Sequence, residues 1–207
     1  MGKTVRVFSK PNYPPFAPIT VEQYHKMLET GILKDGDPIE LLDGMLVYKD
    51  RSARGENFMT IGNRHRQAVL LVYKLDRKLE PYACHMQTQS PVSIPPRHEP
   101  EPDGAIIRGG IRDYGQHPGP QDLSCVLEVA DSSLDYDRTE KLAKYAEAGI
   151  PQYIIINLID SLLEVFEEPV CVESRYAGQK TFRTGEKVAL LLPNGERLDV
   201  PVADFLP

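Results

Sequence analysis

At 207 residues, 41% hydrophobic and 26% charged, the chain is long enough to bury one substantial core and short for two full domains. Its richest apolar stretch, residues 153–163, is about half of the roughly 20 residues that a membrane helix needs, and residues 1–16 lack the apolar core of a secretory signal, so a cytoplasmic protein is expected. A net charge of −6 argues against a simple coat for nucleic acid but is compatible with an acidic centre that binds a divalent cation.

Residues 1–18 are rich in proline (Pro11, Pro14, Pro15, Pro18) and read as an extended arm before a single domain over 19–207. Thr20 and Gln23 have the spacing of a capping box, which opens a short helix ending at Gly31. In 38–48, Asp43-Gly44 separates two apolar runs and predicts a hairpin. Residues 56–79 contain a long amphipathic helix, with Ile61, His65, Ala68, Val69, Val72 and Leu75 near one face and Pro81 closing it. An extended segment over 83–94 stops at Pro95-Pro96.

The second half alternates strand and helix patterns. Residues 104–107 form a short apolar strand, and 123–129 a nearly uninterrupted one, expected at the centre of the sheet. A helix over 137–148 is capped by Asp137 with Glu140 and closed by Gly149 and Pro151. Strands follow at 153–158 and 162–167, then a hairpin around Asn194-Gly195. The fold class is α/β, with a mixed sheet.

Cys84, Cys125 and Cys171 form no CxxC pair and read as buried reduced thiols. No GxSxG, HExxH, Walker or GxGxxG pattern is present, which removes serine hydrolase, zincin and nucleotide-fold readings. The chemistry concentrates at Glu101-Pro102-Asp103 and at Glu128. Asp103 sits at a strand edge after a proline, whereas Glu128 lies in a strand otherwise free of charge. A lone carboxylate there is costly to desolvate, and a cation is the usual remedy. Two carboxylates on neighbouring strands make a hard oxygen site suited to Mg²⁺, with Mn²⁺ as substitute. Such an ion serves phosphodiester hydrolysis, and Lys141, in the first turns of the next helix, could orient water or stabilise charge. The bare pattern equally fits a loop-ending Asp103 and a buried ion pair of Glu128 with Lys141 or Arg138.

Six segments in order resemble the Uma-two endonuclease family of the PD-(D/E)XK superfamily. They are Glu-Leu-Leu-Asp-Gly (40–44), Gln-Ser-Pro-Val (89–92), Glu-Pro-Asp (101–103), Glu-Val-Ala-Asp-Ser-Ser (128–133), Asp-Arg-x-x-Lys (137–141) and Tyr-Ala-x-Ala-Gly-Ile-Pro-x-Tyr (145–153). The resemblance runs from about Ile19 to the C-terminus. It implies a restriction-endonuclease-like core, a mixed sheet flanked by helices. It also implies Asp103 and Glu128 as metal ligands, Glu40 as a further acidic residue and Lys141 as the site lysine. The superfamily places its lysine two residues after the glutamate, where this chain has Ala130, so Lys141 is a relocated lysine. Ile154 follows Tyr153 where the family often has tryptophan.

Gln89 and Tyr145 are candidate substrate contacts; an amide ending a strand and a core tyrosine are their structural alternatives. His65 reads as a packed helix-face histidine ahead of a catalytic base, and Ser132 and Ser133 as turn residues. Arg51, Arg54, Arg64 and Arg66 either line a substrate path or form a solvated face. The expectation is a Mg²⁺-dependent endodeoxyribonuclease acting on DNA as a homodimer, because cutting two strands favours paired active sites. The alternative is a binding module for nucleic acid or protein that keeps the nuclease fold without turnover.

Overall fold

The computed structural model describes residues 17–34, 36–48 and 62–207. Most of the expected arm, the start of the expected long helix at 56–61, and Arg51 and Arg54 lie outside the described residues.

Thr20 caps α1 (Val21–Glu29) through the expected box: its hydroxyl accepts the Gln23 amide while the Gln23 side chain accepts the amide of Thr20. The predicted hairpin forms from β1 (Ile39–Leu42) and β2 (Met45–Tyr48), with Asp43 and Gly44 both at positive φ (51° and 71°) as a tight primed turn requires. The expected long helix is instead two pieces, α2 (Asn63–Lys74) and α3 (Asp76–Leu79). Asp76, just past the break, turns its carboxylate back to accept the Met86 amide at 2.9 Å. The segment expected to be extended over 83–94 is regular only in β3 (Cys84–Gln87).

A six-stranded sheet orders β3, β4 (Gly104–Arg108), β5 (Leu123–Ala130), β6 (Gln152–Asn157), β7 (Leu162–Val170) and β8 (Arg175–Arg183). Only β5 and β6 are parallel, so their connection must cross over the sheet. It does so through α4 (Leu134–Tyr136), a π-helical turn at Asp137–Lys141 and α5 (Leu142–Glu147). The helix thus starts three residues before the expected 137, and Asp137 is interior rather than a cap. β5 is buried along its whole length, as its apolar run, broken by charge only at Glu128, requires. A separate hairpin, β9 (Lys187–Leu191) with β10 (Arg197–Pro201), turns at the predicted Asn194-Gly195.

Strand alternation divides the core between the two faces of the sheet. Ile106, Cys125, Leu127, Ile154 and Ile156 pack with Val72 of α2 and with β9 and β10. Ala105, Ile107, Val126, Tyr153 and Ile155 pack with Tyr145 and Ala146 of α5. Among the described residues no helix is long and apolar enough to cross a membrane.

Candidate active site

The antiparallel register of β4 and β5 sets Gly104 opposite Leu127, so continuing it by one residue brings Asp103 opposite Glu128. Backbone and side chain then interlock, because Asp103 Oδ2 accepts the Val129 amide at 2.9 Å. The β1–β2 hairpin docks on the segment before β4 through reciprocal bonds between Leu41 and Glu99, of 2.7 and 3.4 Å. That contact places Glu40, whose carboxylate accepts the Glu101 amide at 3.1 Å. Lys141 enters from the π-helical turn. Glu40, His65, Gln89, Asp103, Glu128 and Lys141 consequently border one cavity of about 480 Å³.

The electrostatics of this cavity are unbalanced. Lys141 Nζ lies 3.0 Å from Glu128 and 3.7 Å from Asp137, and among the described residues it is the lysine that faces four carboxylates: Glu40, Asp103, Glu128 and Asp137. Burial alone would favour loss of its proton, yet those carboxylates hold it far above the usual lysine range. Burial pushes Glu128 up to about 8; Asp137 and Asp103 add to the rise, whereas Lys141 and the Tyr145 hydrogen bond oppose it. Asp137 is raised as well, again mainly by burial. Asp103 behaves differently. Burial opposes its ionisation, but His65, Lys141 and the Val129 amide outweigh burial and hold it below the ordinary carboxylate value.

Donor chemistry makes the site fit a hard divalent cation. Glu128 and Asp103 are both buried and supply oxygen, and a second charge beside Lys141 would offset the surplus of carboxylates. Asp137 Oδ1 is buried without a hydrogen-bond partner among the described residues, although its other oxygen accepts from Ser133 at 2.6 Å.

Each candidate from the sequence can be placed. Asp103, Glu128, Glu40, Lys141 and Gln89 are brought together. Gln89 adopts a left-handed backbone (φ 46°), and its side-chain amide reaches Asp103 at a long 3.5 Å. Tyr145, a candidate substrate contact, is instead 1% exposed below the cavity, and its hydroxyl donates to Glu128 at 2.7 Å. Of the two partners considered for Glu128, Lys141 pairs with it, whereas Arg138 makes a forked contact with Glu164, 2.7 Å at the shortest.

Sequence reasoning missed two participants. His65, read first as packing, bonds Asp103 at 3.2 Å through Nε2; Asp103 raises its proton affinity enough to outweigh burial. Asp137, read as a cap, belongs to the carboxylate group. Its signal was the apolar Leu134 ahead of it, which permits an earlier helix start at Ser133.

Comparison with known proteins agrees with this architecture. The family model for Uma2, described as "Putative restriction endonuclease", matches residues 21–201. A crystal structure of a "putative nuclease belonging to DUF820" from Anabaena variabilis is similar in fold, with a TM-score of 0.64 and 12% identity over 91% of this chain and 97% of that one. No curated protein matches the chain.

Proposed function

The chain belongs to the Uma2 family, and from that premise we propose that it is a Mg²⁺-dependent nuclease that hydrolyses DNA phosphodiester bonds at the cavity of Asp103 and Glu128. The observation that carries this reading is the gathering of Glu40, Asp103 and Glu128 around Lys141 on one accessible cavity. Asp103 and Glu128 would hold the ion. When bound, Mg²⁺ acidifies water, polarises the phosphoryl oxygen and offsets charge in the transition state.

The remaining work falls to the chain's own groups. Lys141 Nζ, fixed against Glu128, orients the attacking water or donates to the developing charge on phosphorus oxygens. Tyr145 fixes the rotamer of Glu128 from below, and the Val129 amide fixes that of Asp103. His65 keeps Asp103 ionised. Gln89 borders the cavity as a candidate substrate donor. Arg64 and Arg66 flank His65 and are exposed, so they are suited to phosphates of a bound duplex. A homodimer would supply one such site to each strand.

A second reading rests on the 3.0 Å Lys141–Glu128 pair, which by itself could be purely structural, in a binding module that does not turn over. Plasmid nicking separates the two. Wild type is expected to nick with Mg²⁺ or Mn²⁺ and stop with EDTA, whereas Asp103→Asn and Glu128→Gln, folded by circular dichroism, fall by about a hundredfold or more. Undiminished nicking by either variant overturns the site; DNA binding without nicking by the wild type favours the module.

A further inference from the structure

Away from the carboxylate cavity, His25, Glu99 and His117 meet from three distant parts of the chain. His25 lies on α1, Glu99 on the extended segment leading to Asp103, and His117 on the loop between β4 and β5. One donor atom from each lies within 4.8 Å of the other two. His25 Nε2 is 2.8 Å from both oxygens of Glu99, and His117 Nε2 is 4.0 Å from Oε1. The two imidazoles stand edge to face, with centroids 6.0 Å apart, so they are not stacked on one another.

Burial is asymmetric across the cluster. The Glu99 side chain is 1% exposed, whereas those of His25 and His117 are 41% and 42% exposed. A carboxylate is thus held at the base with two imidazole nitrogens converging on it from the solvent side. In a tetrahedral shell with bonds near 2.1 Å, ligand atoms stand roughly 3.4 Å apart. The separations here fall on both sides of that value, so an ion could be taken up by small side-chain rotations.

We infer that His25, Glu99 and His117 form a second metal site, for a zinc-type divalent transition ion, with its fourth position open to water. Two imidazole nitrogens and one carboxylate suit Zn²⁺ and disfavour Mg²⁺, which takes oxygen ligands. If the carboxylate cavity takes Mg²⁺ as proposed above, the chain sorts two metals by donor chemistry. The ion at this second site is a staple. It ties α1 and the β4–β5 loop to the strand segment that runs on through Glu101 to Asp103, and Glu99 is already anchored there by its backbone bonds to Leu41.

Zn²⁺ binding is measured by competition with a chromophoric chelator, and Co²⁺ substitution reports coordination through its visible absorption. The proteins are wild type, His25→Ala, His117→Ala and the double variant Asp103→Asn/Glu128→Gln. Wild type and the double variant are expected to bind one equivalent alike. Each histidine variant should lose about tenfold or more in affinity, at least the loss that disturbing an outer-shell partner causes. His117 lies on an exposed loop, so its variant keeps the fold testable by circular dichroism. Absent binding by wild type, equal binding by both histidine variants, or binding lost in the double variant would overturn the proposal. A failed nicking assay would leave it standing, because the readout is the metal alone.

Discussion

Lys141 is the residue on which the catalytic and structural readings of the site diverge. It is 13% exposed, in contact with Glu128 and near Asp137, so removing it leaves two buried carboxylates without their cation. Above pH 8, where Glu128 is ionised, breaking such a pair from one side costs roughly 3 kcal/mol, less whatever Glu128 recovers by taking a proton. Lys141→Met is therefore expected to lower the denaturation midpoint of the metal-free protein, and Mg²⁺ should restore part of the loss by supplying positive charge. The decisive measurement is nicking at a low temperature and saturating Mg²⁺, where the variant is folded. A rate reduced about a hundredfold there places the lysine in the chemistry. A rate equal to that of wild type would leave it a structural counter-charge.

Elements position these residues, and the β1–β2 hairpin shows how tightly. Besides the Leu41–Glu99 contact that places Glu40, the hairpin turn is itself anchored on several sides. Ile19 donates to Gly44, Gly44 donates to Arg97, Lys144 pairs with Asp43 at 2.7 Å, and the Asp43 amide donates to His98. A Cβ at Gly44 would stand 2.5 Å from Pro18 Cβ and 2.8 Å from the Ile19 carbonyl, at a φ of 71°. Gly44→Ala should cost about 2 kcal/mol and lower nicking by displacing Glu40. Gly195→Ala is the control: it has a positive φ but nothing within 4 Å, so about 1 kcal/mol is expected with activity unchanged. Equal melting losses in the two variants would show that the contacts around Gly44 are immaterial.

The same scale explains what the sequence reveals and what it hides. Asp-Gly, the Thr20–Gln23 box, Asn194-Gly195 and the apolar run of β5 around Glu128 are local signals, and each element stands where the sequence places it. β8 escapes because Tyr176 is its only buried residue, so no apolar alternation marks it. The crossover helix is read three residues late because Asp137 has the chemistry of a cap. In the fold its carbonyl accepts the Leu142 amide five residues on, in the π-helical turn, and also the Tyr153 hydroxyl. Underwound turns of this kind recur at functional sites and depart from the 3.6-residue periodicity. Asp103, Glu128, Glu40 and Lys141 were legible through family resemblance. The links of His65 to Asp103 and of His25 and His117 to Glu99 are products of tertiary packing.

For the whole molecule, the excess of buried carboxylates should appear as a dependence of stability on pH. Glu128 is pushed from its ordinary 4.5 to about 8, and Asp137 is shifted the same way, so the folded state holds protons that the unfolded chain has released in that interval. The Glu128 contribution is complete below pH 4.5 and disappears as pH climbs through 8, and Asp137 adds a loss of the same sign that starts above its ordinary 3.8. Asp103 has the opposite sign, but its shift acts below 3.8, outside this window. Metal-free protein is accordingly expected to lose on the order of 3 kcal/mol between pH 5 and pH 8, measured by urea unfolding in EDTA. Glu128→Gln cannot ionise and should flatten most of that slope. Mg²⁺ prefers the deprotonated carboxylate, so its stabilisation must grow with pH and offset the loss in wild type while leaving the variant unmoved. A wild-type profile that is level or rises over this range would mean that Glu128 is already ionised beside Lys141. The site would then carry no proton for a metal to displace.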